Sequence, residues 1–539
     1  MLRRFTEFGS LGLIVFVGAC SSATPSSEGA AESQQQAATS TWVGTWAASP
    51  QSSGTAFNNQ TLRQIVHTSI AGSSARIQLS NAFGAQAIQI RDVHVAQRSS
   101  GSTVVTSSDR VVTFGGQGLV TVAAGTVAVS DPIAFSVSAL SDVAVSFYLP
   151  SGTGPATTHQ QGTQTNYVAA GDVAGSGSLA NAQTTGSYYF LANLDVQNGS
   201  AIGAVATLGA SITDGVASSQ DSNRRWPNDL AVRLANSGRT VGVLNQGISG
   251  NAELTDGAGQ SALNRFDRDV LAQPGIRWVI FSDDPINDLG SGNRPSGDQL
   301  IAGLSQLISR AHAAGIKFLC STLTPFEGAG YWTPQGETGR EQVNAFIRSA
   351  NSGCDGIVDQ DTATHDPAQP TKYLPAYDAG DHLHPNEAGL QAIANAVDLS
   401  WFAPVGPGAP VISLRAHANG KYVTAENAGA AALIANRTAI GGWEQFDQLD
   451  QGNGNIALRA HANGEYVTAE NAGASPLIAN RTAIGGWETF QLIHNGDGSV
   501  SLRAQANGKY VTAENAGAAS LIANRTAIGQ WEEFDAISD

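Results

Sequence analysis

The strongest constraint on the fold of this 539-residue chain is a repeat near its C-terminal end. The segment at residues 414–420 (LRAHANG) recurs at 458–464 and, with one substitution, at 502–508. One tryptophan in each copy marks the period of 44 residues, at Trp443, Trp487 and Trp531. A solenoid usually runs through more copies and ends in atypical repeats. Three near-identical copies therefore predict a closed object with threefold symmetry.

At this repeat length the segment 411–539 resembles a β-trefoil, and specifically the fascin-like trefoils, with four short strands in each repeat. Trefoil scaffolds often bind sugars, so the resemblance implies a glycan as a partner of this domain. A Glu-x-Phe pattern follows each tryptophan, which favours a buried tryptophan in the core. An exposed tryptophan that stacks on a sugar is the alternative.

Residues 41–200 show the pattern of half-buried strands. Apolar side chains alternate with polar ones along 75–80, and the period of two returns along 143–149. Clusters of glycine and serine separate these runs, and no convincing helical pattern intervenes. The segment is predicted to be an antiparallel β-sandwich domain.

The pattern changes over residues 201–402, where apolar runs alternate with helical periodicity. A helix is predicted to begin at Pro227 and to end before Gly238, and two others carry apolar faces along 300–311 and 390–397. Such alternation predicts a flavodoxin-like α/β domain with a parallel five-stranded sheet, whose active site lies at the carboxyl ends of the strands. The predicted strands are 204–208, 241–245, 276–282, 316–322 and 356–359.

The first 40 residues are predicted to be an export signal followed by a flexible tether. Arginines precede the apolar run 11–17, which is too short for a committed membrane span. The run ends in Val-Gly-Ala-Cys20, which resembles a bacterial lipobox, so 1–20 is predicted to be a lipoprotein signal peptide with Cys20 as the lipidated residue. An ordinary signal peptide is the alternative. Residues 21–40 form a flexible tether by composition. The protein is thus expected to be an exported cell-envelope lipoprotein or secreted, with the membrane contacted only through the lipid.

Proline and glycine dominate residues 403–410, which are predicted to be a linker. The chain carries 28 Lys and Arg against 44 Asp and Glu, a net charge of −16. Sequence-independent nucleic-acid binding needs clustered basic residues, and no such cluster appears in the sequence, so no nucleic-acid partner is expected.

Cys320 and Cys354 remain beyond the N-terminal segment. Export permits a disulfide. However, Cys320 falls late in one predicted strand and Cys354 precedes the next, so extended parallel strands would hold them too far apart. Two buried thiols are the favoured expectation, and the disulfide is the alternative. No His/Cys cluster has zinc spacing, so no metal site is predicted.

A candidate nucleophile follows the first strand of the α/β segment. Ser211 lies in a glycine-flanked turn between that strand and a helix, and a serine hydroxyl needs a base to become a good nucleophile. Asp381 and His384 lie three residues apart near the end of the same segment. This spacing lets the carboxylate orient the imidazole while the other ring nitrogen faces the serine.

Four motifs in order resemble the SGNH (GDSL-type) hydrolase superfamily. They are Gly-Ala-Ser211-Ile, the loop that ends in Ser-Gly250-Asn, Pro-Ile-Asn287-Asp, and Asp381-His-Leu-His384. With the β domain before it, the resemblance covers about residues 41–402 and points to an extracellular branch. It implies catalysis by Ser211, Asp381 and His384. It also implies an oxyanion hole from the Ser211 and Gly250 N–H groups and the Asn287 side chain, with no cofactor.

Two residues depart from the superfamily pattern. Ala210 stands where Asp is usual, and Pro285 stands where Gly is usual. Neither position transfers a proton or donates to the oxyanion, so the chemistry is expected to survive, and only the local geometry is in question. Asp283 and Asp284 precede Pro285 and are predicted to form a solvated loop, with a substrate-mouth role as the alternative.

The leading functional prediction is a serine carboxylic ester hydrolase that deacylates, for example deacetylates, a carbohydrate. The first alternative is a general acyl esterase or lysophospholipase of the cell envelope. The second is a non-catalytic surface binding protein with a degenerate SGNH domain, which only Ala210 and Pro285 favour. An acylated carbohydrate or another ester is therefore the expected substrate.

Overall fold

A computed structural model describes residues 42–292, 294–402, 410–452 and 454–538. The predicted signal peptide with Cys20, the tether and most of the predicted linker lie outside the described residues. Residues Thr41–Asp539 form one compact unit, so the predicted boundaries inside it remain predictions. Within the described ranges, no helix has both the length and the apolar character that a membrane crossing requires.

The N-terminal β region consists of two antiparallel sheets and a short two-stranded ribbon. One sheet has the order β1-β14-β3-β8, and the larger one has the order β12-β11-β2-β9-β4-β5, with β6 and β7 also paired to β4. Buried side chains from both sheets form a single apolar cluster, as the alternating pattern predicts. The strands are β1 Trp42–Ala47, β2 Gln60–His67, β3 Ser74–Ser80, β4 Ile88–Ser100, β5 Thr103–Val104, β6 Arg110–Val112, β7 Leu119–Val122, β8 Val127–Val129, β9 Asp142–Leu149, β10 Thr158–His159, β11 Asn166–Ala170, β12 Gln183–Thr185, β13 Tyr188–Tyr189 and β14 Leu191–Gln197.

The central region is an α/β fold around a five-stranded sheet of order β16-β15-β17-β18-β19, in which every pair is parallel. The prediction of a parallel five-stranded sheet is therefore confirmed. Its strands are β15 Gly203–Gly209, β16 Val241–Gly247, β17 Ile276–Phe281, β18 Lys317–Ser321 and β19 Gly356–Val358, and a small hairpin adds β20 His365–Asp366 and β21 Gln369–Tyr373.

Capping residues explain where the helices of this region begin. Pro227 lies in the first turn of its helix, where the missing N–H is not needed. Ser296 and Gln299 form a reciprocal capping box before the longest helix, and the left-handed Gly315 follows its end. The helices are α1 Ser211–Asp214, α2 Trp226–Asn236, α3 Ala262–Phe266, α4 Asp284–Gly290, α5 Gly297–Ala313, α6 Pro334–Ile347, α7 Gln360–Thr364 and α8 Glu387–Ala396.

The two cysteines form a disulfide, so the expectation of two free thiols is wrong. The Cα atoms of Cys320 and Cys354 are 5.7 Å apart, within the normal range for a disulfide. The prediction assumed an extended strand around Cys354. In fact β19 begins only at Gly356, and the Asp355 N–H donates to the Phe318 carbonyl (2.8 Å), so Cys354 lies beside β18.

The C-terminal region forms one closed twelve-stranded sheet, because its first strand pairs with its last. Equivalent contacts also join each repeat to the next, and the third repeat to the first. Gly429, Gly473 and Gly517 each have positive φ and face an asparagine of the next copy, and the third copy faces the first. The strands are β22 Val411–Ala416, β23 Tyr422–Thr424, β24 Ile434–Arg437, β25 Phe446–Gly452, β26 Asn455–Ala460, β27 Tyr466–Ala469, β28 Leu477–Arg481, β29 Phe490–His494, β30 Val500–Ala504, β31 Tyr510–Ala513, β32 Leu521–Arg525 and β33 Phe534–Ser538.

The tryptophans of the repeats are not in the core, so that prediction is wrong. Trp443 and Trp487 are 39% and 40% exposed, whereas the phenylalanine three residues later in each copy is fully buried. The glutamate after each tryptophan accepts a backbone N–H three residues earlier, as Glu444 does from Gly441 (2.8 Å). This turn directs the phenylalanine inward and leaves the indole at the surface.

Candidate active site

Ser211 lies at the carboxyl end of β15, the strand between β16 and β17, as the first residue of the short helix α1. The approach to it is tight. A side chain at Gly209 would collide with Thr213 and Asp283, so only glycine fits just before the turn that carries Ser211. Ser211 itself is 8% exposed, which leaves its hydroxyl at the border between the core and the surface.

The structure brings the three predicted catalytic residues into one hydrogen-bonded chain. The distance from Ser211 Oγ to His384 Nε2 is 2.8 Å, and that from His384 Nδ1 to Asp381 Oδ2 is 2.6 Å. The second carboxylate oxygen of Asp381 accepts the N–H groups of Leu383 and His384 (3.0 and 2.9 Å). With Nδ1–H donating to Asp381, Nε2 is free to take the serine proton.

The environment of Asp381 keeps its carboxylate charged. Partial burial by itself would raise the pKa of Asp381, but hydrogen bonds from the backbone and side chain of His384 and from Leu383 N–H outweigh it, and the pKa is lowered. The side chain of Asp381 is 54% exposed and that of His384 only 14%. The imidazole of His384 is thus shielded from solvent, while the carboxylate of Asp381 that orients it is exposed.

The predicted oxyanion donors surround this serine in different ways. Ser211 opens α1, so no bond within the helix uses its N–H. Gly250 follows β16 with φ of +78°, a conformation that favours glycine. Asn287 lies in α4 and donates from Nδ2 to the Asn251 carbonyl (2.7 Å), which leaves its second amide hydrogen for a substrate oxygen.

Tyr331 orients the Asn287 amide, and sequence reasoning missed it. Its hydroxyl donates to Asn287 Oδ1 (3.2 Å), so the Nδ2 end of the amide points the other way. The tyrosine ring packs where a side chain at Gly290 would otherwise be. Burial raises the pKa of Tyr331, so the hydroxyl keeps its proton and remains a donor.

The two residues that depart from the superfamily pattern, Ala210 and Pro285, are compatible with the backbone at the starts of α1 and α4. Pro285 is the second residue of α4, where no intrahelical bond requires an N–H. Ala210 is fully buried before α1 and offers no side-chain cap. The predicted solvated loop of Asp283 and Asp284 is wrong, because the two residues are 3% and 0% exposed.

Asp284 belongs to a group of buried acids beside the loop 248–251, which carries the predicted oxyanion donor Gly250. It accepts Asn251 Nδ2 (2.9 Å) and lies 3.4 Å from a terminal nitrogen of Arg265. Burial raises the pKa of Asp284 to about 7 despite Arg265, and burial raises that of Asp288 to about 6. Burial also raises the pKa of Glu253, with the charges of Asp288 and Asp284 adding to the effect.

A histidine of the N-terminal β region reaches the same loop. His159 Nε2 lies 3.1 Å from Asp214 Oδ1, and its Nδ1 faces the Ser49 carbonyl (3.1 Å). The other oxygen of Asp214 accepts Ser249 N–H (2.8 Å) and Ser249 Oγ–H (2.6 Å). Since Ser249 precedes Gly250, this buried contact holds the segment that carries a predicted oxyanion donor.

Sequence reasoning missed Tyr331 and the His159–Asp214 contact, and it placed Asp283 in solvent, where the structure buries it. The Thr-Asp that follows the serine motif was a local signal for Asp214. No local signal exists for His159 or Tyr331, which are distant from Ser211 in sequence.

One group of side chains outside this site has the geometry to hold a cation. In the C-terminal region His417, Asp497 and Glu533 bring ligand atoms within 4.8 Å of one another. His417 Nε2 also lies 2.8 Å from Asp535 Oδ1, and this hydrogen bond raises the pKa of His417 most. None of these residues takes part in the hydrogen bonds around Ser211.

Residues 207–392 match the GDSL-like lipase/acylhydrolase family. The resemblance stated above is therefore confirmed for this segment, which is a GDSL-like domain within a larger chain. No curated protein matches the chain.

Among solved structures, a putative GDSL-family lipolytic protein of Desulfitobacterium hafniense is 19% identical, covering 37% of this chain and 99% of its own at a TM-score of 0.29. A mutant acetyl-xylooligosaccharide esterase from Geobacillus is 22% identical. The match covers 38% of this chain and 95% of the esterase, at a TM-score of 0.30. The designed threefold-symmetric protein ThreeFoil is 26% identical. The match covers 24% of this chain and 98% of ThreeFoil, at a TM-score of 0.23. Each of these matches covers less than half of the chain.

Proposed function

We propose that the protein is a serine carboxylic ester hydrolase that works through an acyl-enzyme. The observation that carries the proposal is the continuous chain from Ser211 Oγ through His384 to Asp381, with both distances below 3 Å. A degenerate, non-catalytic domain would have no reason to retain a shielded base and a charged orienting carboxylate. The geometry therefore weighs against the non-catalytic alternative.

The proposed reaction uses only groups of the protein and water. His384 Nε2 takes the Ser211 proton as Oγ attacks the ester carbonyl, and the imidazolium then protonates the leaving alcohol. The Ser211 and Gly250 N–H groups and Asn287 Nδ2 would stabilise the oxyanion, where one such donor is typically worth about 10²–10³ in rate. Water, deprotonated by His384, then cleaves the acyl-enzyme, so the mechanism calls for no cofactor.

The proposed substrate is an acylated, for example acetylated, carbohydrate. We further propose that the closed C-terminal region is a β-trefoil that binds glycan and that the N-terminal region is a β-sandwich. Support comes from Trp443 and Trp487, whose exposed indoles are suited to stack on sugar rings. The exported location and lipidation at Cys20 are proposed from the sequence; Cys20→Ser should release the protein from membranes or block its maturation.

The central experiment compares the wild-type protein with Ser211→Ala. A fluorophosphonate probe should label the wild type at Ser211, and the alanine variant should lose both labelling and ester turnover while keeping its fold. Full activity in the variant would rule out the proposed nucleophile. Acetylated glycans assayed beside p-nitrophenyl esters of rising acyl length test the substrate class, and a preference for long acyl chains would favour the general acyl esterase.

A further inference from the structure

The side chain of Asp283 bonds to a helix other than its own. The residue lies directly before α4, yet it makes no cap to the amides of that helix. An aspartate in this position ordinarily accepts an N–H from its own first turn. Here Oδ2 accepts the Ile212 N–H (2.7 Å) and Oδ1 accepts the Thr213 hydroxyl (2.6 Å), and both donors lie in α1.

Helix α1 has no cap of its own. Ala210 precedes it and has no acceptor in its side chain, while the first amides of any helix lack partners within the helix. Neighbouring strands bring the substitute close. The Ser282 N–H donates to the Leu208 carbonyl (2.9 Å), so the chain leaving β17 runs beside the chain leaving β15.

We propose that Asp283 is a positioning residue for Ser211, and that it supplies across the sheet the cap that Ala210 cannot provide. The inference rests on the proposed hydrolase function. Because Asp283 takes the Ile212 N–H, the Ser211 N–H is the adjacent donor that stays available for the oxyanion. Asp283 is almost fully buried, so the turn that holds Ser211 Oγ near His384 is anchored to the core.

The test compares Asp283→Ala with Asp283→Asn in steady-state hydrolysis of p-nitrophenyl acetate. Alanine removes both bonds, so kcat should fall by about 10²-fold, the scale of a small misplacement of a reacting group, with KM changed less than about twofold. Asparagine retains an oxygen for the Ile212 N–H and an NH₂ that can donate to the Thr213 oxygen. Most of the lost kcat should therefore return.

Asp361→Ala is the matched control for a general loss of stability. Asp361 is also buried, but it bonds to Arg340 and Arg348 and to no residue of the nucleophile turn. Its Tm should fall while kcat stays within about twofold of wild type. If Asp283→Ala does not fold, Thr213→Val removes one of the two bonds at nearly constant shape and should lower kcat several-fold.

The outcomes separate the inference from the function on which it rests. A wild-type protein with no Ser211 labelling and no turnover would overturn the proposed function and the inference together. An active wild type with unchanged kcat in Asp283→Ala, or in Thr213→Val where it is used instead, would overturn the inference alone. The inference would also fail if Asp361→Ala lowered kcat equally or if Asp283→Asn were no better than alanine.

Discussion

The two β-rich regions on either side of the parallel sheet relate to the catalytic residues differently. The N-terminal region shares its core with the sheet, because Ala204 of β15 and Leu244 of β16 belong to its apolar cluster. The contact is close enough that a side chain at Gly44 would collide with Leu244. His159 then extends this contact to Asp214, which accepts two hydrogen bonds from Ser249 in the loop of Gly250.

The C-terminal region contains its whole core within its own repeats. Among the described residues, its buried cluster includes only positions from Ile412 to Phe534. Its polar bonds repeat with the same period, as in the buried glutamates Glu444 and Glu488, which accept threonine hydroxyls twenty residues earlier. The comparison leads us to predict that changes in the N-terminal region affect the residues around Ser211, whereas changes in the C-terminal region leave them unaffected.

The largest effect on ester turnover in this comparison is expected at the N-terminal contact, from His159→Leu. Leucine would leave the buried Asp214 Oδ1 without its hydrogen-bond partner, and an unsatisfied buried acceptor costs about 1–3 kcal/mol. We also expect kcat to fall about tenfold, less than the about 10²-fold expected for direct misplacement of a reacting group, because His159 acts only through Ser249 and Gly250. Urea unfolding and ester kinetics measure the two effects. Unchanged kcat in the folded variant would mean that this region only supports the sheet.

Phe490→Ala makes the corresponding test in the C-terminal region. Truncating a fully buried phenylalanine costs about 3–5 kcal/mol, which should unfold this small region while ester turnover persists. Trp487→Ala is its control, because a partly exposed indole should contribute much less to stability. Fluorescence-detected unfolding and p-nitrophenyl acetate hydrolysis follow the two properties. Loss of turnover in Phe490→Ala would contradict the prediction that changes in this region leave the residues around Ser211 unaffected.

The buried carboxyl groups of Asp284 and Asp288 predict that the free energy of unfolding of the α/β region depends on pH. In the folded state the pKa of Asp284 is about 7 and that of Asp288 is about 6. The pKa of an aspartate in the unfolded chain is about 4. Between these values the folded state binds more protons, so the free energy of unfolding should fall as the pH rises from about 4 to 7. Asp284→Asn should flatten this slope and leave the C-terminal transition unchanged. A slope unaffected by the substitution would assign the pH dependence to other groups.

The smallest effect on chemistry is expected from removal of the C-terminal region. A chain that ends at residue 402 retains the apolar clusters of the N-terminal and α/β regions, so its kcat on small soluble esters should match the full chain within about twofold. Retention on insoluble acetylated polysaccharide should fall if the exposed tryptophans bind glycan. Equal retention of both chains across a broad panel of polysaccharides would leave this region without a role in substrate capture.

Local pattern in the sequence was sufficient for the parallel sheet and for the candidate catalytic residues. The strands were predicted from continuous apolar runs, because a parallel sheet is buried on both faces, and all five lie within two residues of their predicted bounds. Ser211, Asp381 and His384 were predicted because they lie in short motifs whose order resembles that of the SGNH superfamily. The period of 44 residues predicted a closed C-terminal region, because one copy cannot bury its own apolar side chains.

Contacts between distant segments were decided only by the tertiary structure. The partner of Asp283 depends on which strands are neighbours, and that of His159 on how one sheet packs against another. The Cys320–Cys354 disulfide depended on where β19 begins, and the exposure of Trp443 on which side of a turn faces the core. Sequence pattern reports whether a side chain is buried, whereas its partner is set by the three-dimensional arrangement of elements that pack together.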